Sequence, residues 1–187
     1  MFNEQLTQIQ KRLPSLFTTL CLEVSLLLIY ILGMLFYPYQ LLIQSPEMIS
    51  EWGQVNELII SGEWYRLITA FWIHGNVVHL ASNMLFLLIF SSRLEDLIRG
   101  YKVFLVFLGS GLLGNLATLG FILLGVDFVS LGASGAVFGL LGAVLFVLKG
   151  KSKRERRSMA YFIFIFFIIT IGQDTNFISH LFGLIGG

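Results

Sequence analysis

Long apolar stretches alternate with short polar ones along this chain, and each long stretch is about the length of a membrane crossing. The first apolar run covers residues 16–37. Others follow at 77–97, 103–124, 131–148 and 158–172, and a sixth starts at Phe177 and runs to Gly187. A helix needs on the order of 20 apolar residues to cross the hydrocarbon layer. The pattern therefore predicts six helices, the fifth short. Only seven residues follow His180, about 10 Å of helix at 1.5 Å per residue, so the sixth is expected to be truncated and to cover about half a bilayer. The fold class expected is all-α, a polytopic membrane bundle of six transmembrane helices. No internal repeat divides it. One domain is expected over 1–187, with its core at 63–187, a terminal segment at 1–15 and a long first loop at 38–76.

That loop has a different texture. Trp52, Trp64, Tyr65, Phe71 and Trp72 are spread among Glu47, Glu51, Glu57 and Glu63. Indole and phenol rings favour the headgroup layer, because their bodies are apolar and their polar atoms want water. An amphipathic loop lying partly in the membrane surface is the expectation.

Composition agrees. Of 187 residues, 56% are hydrophobic and 12% charged, with a mean hydropathy of +0.83; a soluble domain of this size carries far more polar surface. A net charge of +1 argues against a nucleic-acid partner, which normally shows as a dominant basic surface, and topology signalling accounts for the basic run at 149–157. The single cysteine, Cys21, precludes an intramolecular disulfide and reads as a small apolar residue. The first run is too long for a signal-peptide core and no cleavage motif follows it, so it reads as a retained anchor. Glu23, near one end of that run, is expected to reach the interface.

Charge sets the orientation. Lys11 and Arg12 precede the first helix. Arg93, Arg99 and Lys102 fall between the second and third, and Lys149, Lys151, Lys153, Arg154, Arg156 and Arg157 between the fourth and fifth. Only Arg66 lies on the other side. By the positive-inside rule the N-terminus is expected in the cytoplasm of a cell with this chain in its surface membrane. The first loop and the turns at 125–130 and 173–175 then face outward.

Polar side chains inside apolar helices are costly and need a reason. Most of them here gather near the outward ends of helices two, four and six. Helix two opens with His74-Gly75-Asn76-Val77-Val78-His79, and Asn83 follows. His79 and Asn83 are four apart, one above the other on a helical face, with Asn76 a candidate N-cap. Taken alone, the pair serves equally well as polar glue between helices.

Helix four opens with Leu131-Gly132-Ala133-Ser134-Gly135. The first N–H groups of a helix lack internal acceptors, and the positive end of the dipole favours an anion. An oxyanion formed by attack of Ser134 could be held there, with Gly132 and Gly135 permitting close approach of backbone. A lone G-x-S-G in a membrane helix more often serves packing alone.

Helix six carries His180, Gly183 and Gly187 on one face, and helix four carries Gly135, Gly139 and Ala143 on one face. Small residues at such spacing let two helices approach closely. Contact along those faces would bring His180 within hydrogen-bond reach of Ser134, as general base to a nucleophile. Asp127 and Asp174 fall in turns and receive no catalytic role.

In this order the motifs resemble the rhomboid family of intramembrane serine proteases, over residues 63–187. They are the Tyr65-Arg66 element beside Trp64, H-x4-H-x3-N from His74 to Asn83, G-x-S-G at Gly132–Gly135, and H-x2-G-x3-G from His180 to Gly187. The resemblance implies Ser134 as nucleophile and His180 as its base. It implies an oxyanion hole from the side chains of His79 and Asn83 and the backbone of Ser134. His74 is then a support of the loop, and Arg66 the arginine of the first-loop element. The chain departs from the family in having Tyr65 where tryptophan is frequent, and in Phe138 where some members place a tyrosine beneath the histidine. A hydroxyl is lost there while stacking stays possible.

The resemblance further implies endopeptidase action on membrane-protein substrates near the outer face, with no cofactor and no metal. Substrate entry would involve movement of helix five or of the 173–175 turn. The alternative is a non-catalytic binding or quality-control protein on the same fold. A metal-dependent protease would need His74, His79 and His180 as ligands, but there is no H-E-x-x-H, and His74 and His79 fall about 140° apart if both are helical. A transporter would need inverted repeats that the chain lacks. Nothing in the sequence names the oligomeric state.

Overall fold

The computed structural model describes residues 16–127, 129–148, 154, 157, 158, 161, 164–166, 168 and 176–187. Every element among them is helical. The segment expected as helix five falls mostly outside the described residues, as do the 173–175 turn, residues 1–15 and most of the basic run at 149–157.

Helix α1 spans Phe17–Phe36, α2 Pro46–Trp52, α3 Asn56–Ile60 and α4 Arg66–Thr69, the last continued by a 3-10 turn at Ala70–Trp72. Then come α5 (Val77–Glu95), α6 (Gly100–Gly120, extended by a 3-10 turn to Leu124), α7 (Ser134–Val147) and α8 (Phe177–Gly186). Three of these are long and apolar enough to cross a membrane: Phe17–Phe36, Val77–Glu95 and the continuous stretch Gly100–Leu124. The chain is an integral, multi-pass membrane protein.

The fourth apolar run departs from expectation in an informative way. Its helix begins only at Ser134, because Gly132 turns the chain with φ +105°. The result is a helix of 14 residues, about 21 Å long, preceded by irregular backbone. Such backbone is tolerated at membrane depth only where protein covers it, and the first loop supplies the cover. Gln54 and Ser130 exchange both backbone hydrogen bonds, at 2.8 and 3.0 Å, and Gly132 N–H donates to Ala70 O at 2.8 Å.

That loop is a folded unit and not a loose surface strand. Arg66 is 3% exposed, its Nε on Glu63 Oε2 at 2.6 Å and its Nη1 on the carbonyls of Ser50 and Gly53. The hydrogen bonds from Arg66 and then Tyr65 hold the Glu63 carboxyl below the ordinary carboxylate range. Trp52, Trp64 and Tyr65 remain exposed while Phe71 is buried. Trp72 reaches inward, its indole N–H donating to Ser25 Oγ of α1 at 2.9 Å.

Lipid tails are as apolar as leucine, so bundle cohesion rests on close packing and polar contacts. Helix α7 is the centre: Gly135 to Leu141, Ala143 and Val144 are all buried. It packs on α5, α6 and α8. A Cβ added at Gly183 would collide with the Gly135 carbonyl, and one at Gly187 with the Gly139 carbonyl. The glycine-lined contact of helices four and six is therefore present.

Glu23 corrects one expectation. It is 9% exposed and so sits within the bundle, one turn above Thr19, which the Glu95 carboxylate binds. Cys21 is on the outer face of α1.

Candidate active site

The site is assembled at the start of α7, where three helices and two loops meet. Asn76 caps α5, its Oδ1 accepting from His79 N at 2.8 Å, which fixes where the first turn of α5 begins. One turn on, Asn83 Nδ2 donates to the His79 carbonyl at 2.9 Å. Asn83 is 3% exposed, and its buried Oδ1 has no hydrogen-bond partner among the described residues.

Gly132 faces this pair. The space where its side chain would begin lies 2.8 Å from His79 Nε2 and 3.9 Å from Asn83 Nδ2. The two side chains thus converge on the backbone that leads into Ser134. Being first in α7, the Ser134 N–H has no acceptor within its own helix.

Ser134 Oγ and His180 Nε2 are 2.7 Å apart, a distance at which a hydroxyl donates fully to a neutral imidazole nitrogen. His180 is 6% exposed. Its ring stacks on Phe138, one turn beyond Ser134, with centroids 4.3 Å apart and planes at 26°. Phe138 packs in turn against Phe166, with centroids 4.6 Å apart and planes tilted by 31°. The lost tyrosine hydroxyl costs the imidazole no ring contact.

His74 stands just before α5 and is buried. Its Nε2 accepts from Ala133 N at 3.4 Å, and its Nδ1 lies 3.3 Å from the Trp72 carbonyl. That arrangement requires a neutral ring. Burial, with His79 nearby, also holds its pKa well below the ordinary imidazole value. The His74 and His79 rings meet edge to face at 5.0 Å, closer than a continuous helix would bring them, because His74 lies before the helix and Asn76 between them is extended. Among the described residues no group of three or more His, Cys, Asp or Glu side chains is arranged to hold a metal.

Several contributors were not singled out from sequence. Ser179 packs into the notch left by Gly114 and Gly135, where any Cβ would meet its Oγ. Asn176 caps α8 through Ser179 N, at 2.9 Å. Gln54 donates to Asn56 and to the Asn115 carbonyl, both at 2.9 Å, and Asn115 Nδ2 reaches the Leu67 carbonyl at 2.9 Å. The available signal was cost: an asparagine inside or at the edge of an apolar run must have partners.

The rhomboid domain family matches residues 61–187. YdcA of Bacillus subtilis (strain 168) is 35% identical over 134 residues, covering 69% of this chain and 66% of YdcA. Rhomboid protease GluP of the same strain is 35% identical over 137 residues, 71% of this chain and 26% of GluP. The mitochondrial RHOMBOID-like protein 6 of Arabidopsis thaliana is 32% identical over 143 residues, 73% of this chain and 45% of that protein. The matched segments span less than two thirds of each relative's length. The rhomboid match at residues 61–187 contains Arg66, His74, His79, the start of α7 and the whole of α8, and the chain belongs to the rhomboid family.

Proposed function

We propose that this protein is an intramembrane serine endopeptidase in which Ser134 is the nucleophile and His180 the general base. The observation that carries this reading is the 2.7 Å contact between Ser134 Oγ and His180 Nε2, made deep in an apolar bundle where a polar pair needs a purpose. The similarity to rhomboid protease GluP adds weight.

In the reaction, Ser134 Oγ attacks the scissile carbonyl carbon as its proton passes to His180 Nε2. The carbonyl oxygen becomes an oxyanion beside the Ser134 N–H and the side chains of His79 and Asn83. His180 then returns the proton to the departing amine as the C–N bond breaks, leaving an ester on Ser134. A water deprotonated by the same imidazole hydrolyses that ester and regenerates the hydroxyl. Each donor aimed at the oxyanion is worth about 3–4 kcal/mol of barrier. No carboxylate is needed as a third member beside the pair, because stacking on Phe138 orients the imidazole.

The N-terminus is cytoplasmic on this reading, as the basic residues require, and the site opens toward the outer face of the cell membrane. Substrates are other membrane proteins, cleaved where a segment is unwound, since a regular helix hides its carbonyls in hydrogen bonds. Labelling by a fluorophosphonate tests the proposal. The wild-type protein should be labelled and Ser134→Ala should not. A folded wild-type protein that resists labelling overturns the reading and favours a non-catalytic binding protein on the same fold.

A further inference from the structure

We infer that Asn176 is a positioning residue that sets the depth of His180 against Ser134; the inference rests on the serine–histidine reading above. Asn176 lies four residues before His180, and Ser130 lies four residues before Ser134. The two meet: Asn176 Nδ2 donates to Ser130 Oγ at 2.8 Å and to Thr118 Oγ1 at 2.8 Å. Its Oδ1 accepts from Ser179 N at 2.9 Å, and its backbone carbonyl accepts from His180 N at 3.1 Å.

One amide therefore ties the first turn of α8 to the loop that delivers the nucleophile. Its orientation is set by chemistry. The Ser179 N–H can only donate, so the amide oxygen must face it, and both amide hydrogens are then committed to Ser130 and Thr118. Each anchor is itself held. Ser130 is 7% exposed and paired through its backbone with Gln54, and Thr118 is 1% exposed and donates to the Gly114 carbonyl at 2.9 Å. Sliding α8 along its axis would break the amide from both anchors at once. Ser179 in the notch of Gly114 and Gly135 opposes sliding by shape; the amide adds hydrogen bonds that fix the depth of α8 against the loop carrying Ser130.

A plain N-cap would need only the oxygen. Ser caps as well as Asn, yet its hydroxyl is too short to keep the cap and also span to Ser130. Asn176→Ser therefore removes both anchors, and Ser130→Ala the one on the loop that delivers the nucleophile, while each spares the cap. Full-length protein in detergent or liposomes is assayed for cleavage of a transmembrane substrate, for fluorophosphonate labelling rate against pH, and for melting temperature. Each variant should lose about ten- to a hundredfold in kcat, the scale of a misplacement near 1 Å. KM should stay within twofold or so, melting should be little changed, and the double variant should be no worse than the worse single one.

Preserved kcat in folded Asn176→Ser overturns the inference, as do losses that add in the double variant or follow melting temperature alone. Wild-type protein that is not labelled at Ser134 overturns this inference together with the serine–histidine reading. Labelled wild type with unaffected variants overturns the positioning role alone.

Discussion

Gly132 faces His79 beside the start of α7: a Cβ on Gly132 would stand 2.8 Å from the His79 Nε2. The same glycine has φ +105°, a backbone state that side chains strain against. Two independent demands therefore fall on one residue, absence of a side chain and a turn that only glycine makes freely. Gly132→Ala should lose about 1–3 kcal/mol of stability from the backbone, and cleavage should fall further because His79 is displaced. A cleavage assay normalised to folded protein checks this.

Truncation of the facing side chains should slow chemistry without weakening substrate binding. For His79→Ala and Asn83→Ala the expectation is a fall in kcat of about 10²–10³ with KM little moved. A rise in KM at constant kcat would assign both residues to substrate binding.

Phe138 separates packing from hydroxyl chemistry. Phe138→Ala removes the ring under His180 and the contact with Phe166, and should destabilise by roughly 3–5 kcal/mol. Phe138→Tyr keeps the ring and should hold activity within a few-fold. Parallel melting and cleavage measurements distinguish the two.

Glu95, at the end of α5, caps α1 from outside. Its carboxylate accepts from Thr18 N and Thr19 N, both at 2.9 Å, and from Thr19 Oγ1 at 2.6 Å. The start of α1 has no side-chain cap of its own. Glu95→Ala should cost roughly 1.5–3 kcal/mol, read by unfolding in a mild detergent, with little change in the rate per folded molecule.

Acid should loosen the first loop. The Glu63 carboxyl has its pKa lowered from 4.5 by Arg66 and Tyr65. Its contribution is therefore present above the unfolded value and is lost as pH falls through the folded one. Melting temperature should drop more between pH 6 and about 3 for the wild type than for Glu63→Gln. Equal drops would show that the ion pair contributes nothing to loop stability.

Helix positions were legible because in lipid each spanning segment must satisfy its own backbone, which writes a long apolar run into the sequence. Ser134, His180, His79 and Asn83 could be singled out for the same reason, since polar atoms are conspicuous in an apolar run. Glu23 misled because distance from a helix end says nothing about which face is covered. The late start of α7 was also hidden: 131–133 read as a continuation of the apolar run, and the contacts with Ala70, His74 and Gln54 hold them irregular around the turn at Gly132.

Sequence alone determined a multi-pass helical membrane chain, its cluster of polar residues and the glycine faces available for contact, because these follow from local chemistry against a fixed solvent. Tertiary structure decided the 2.7 Å approach of Ser134 and His180, the capping of α1 by Glu95 and the tie from Asn176 to Ser130. Those are contacts between residues 46 to 77 positions apart, and separation in sequence carries no information about depth or rotation until the helices have packed.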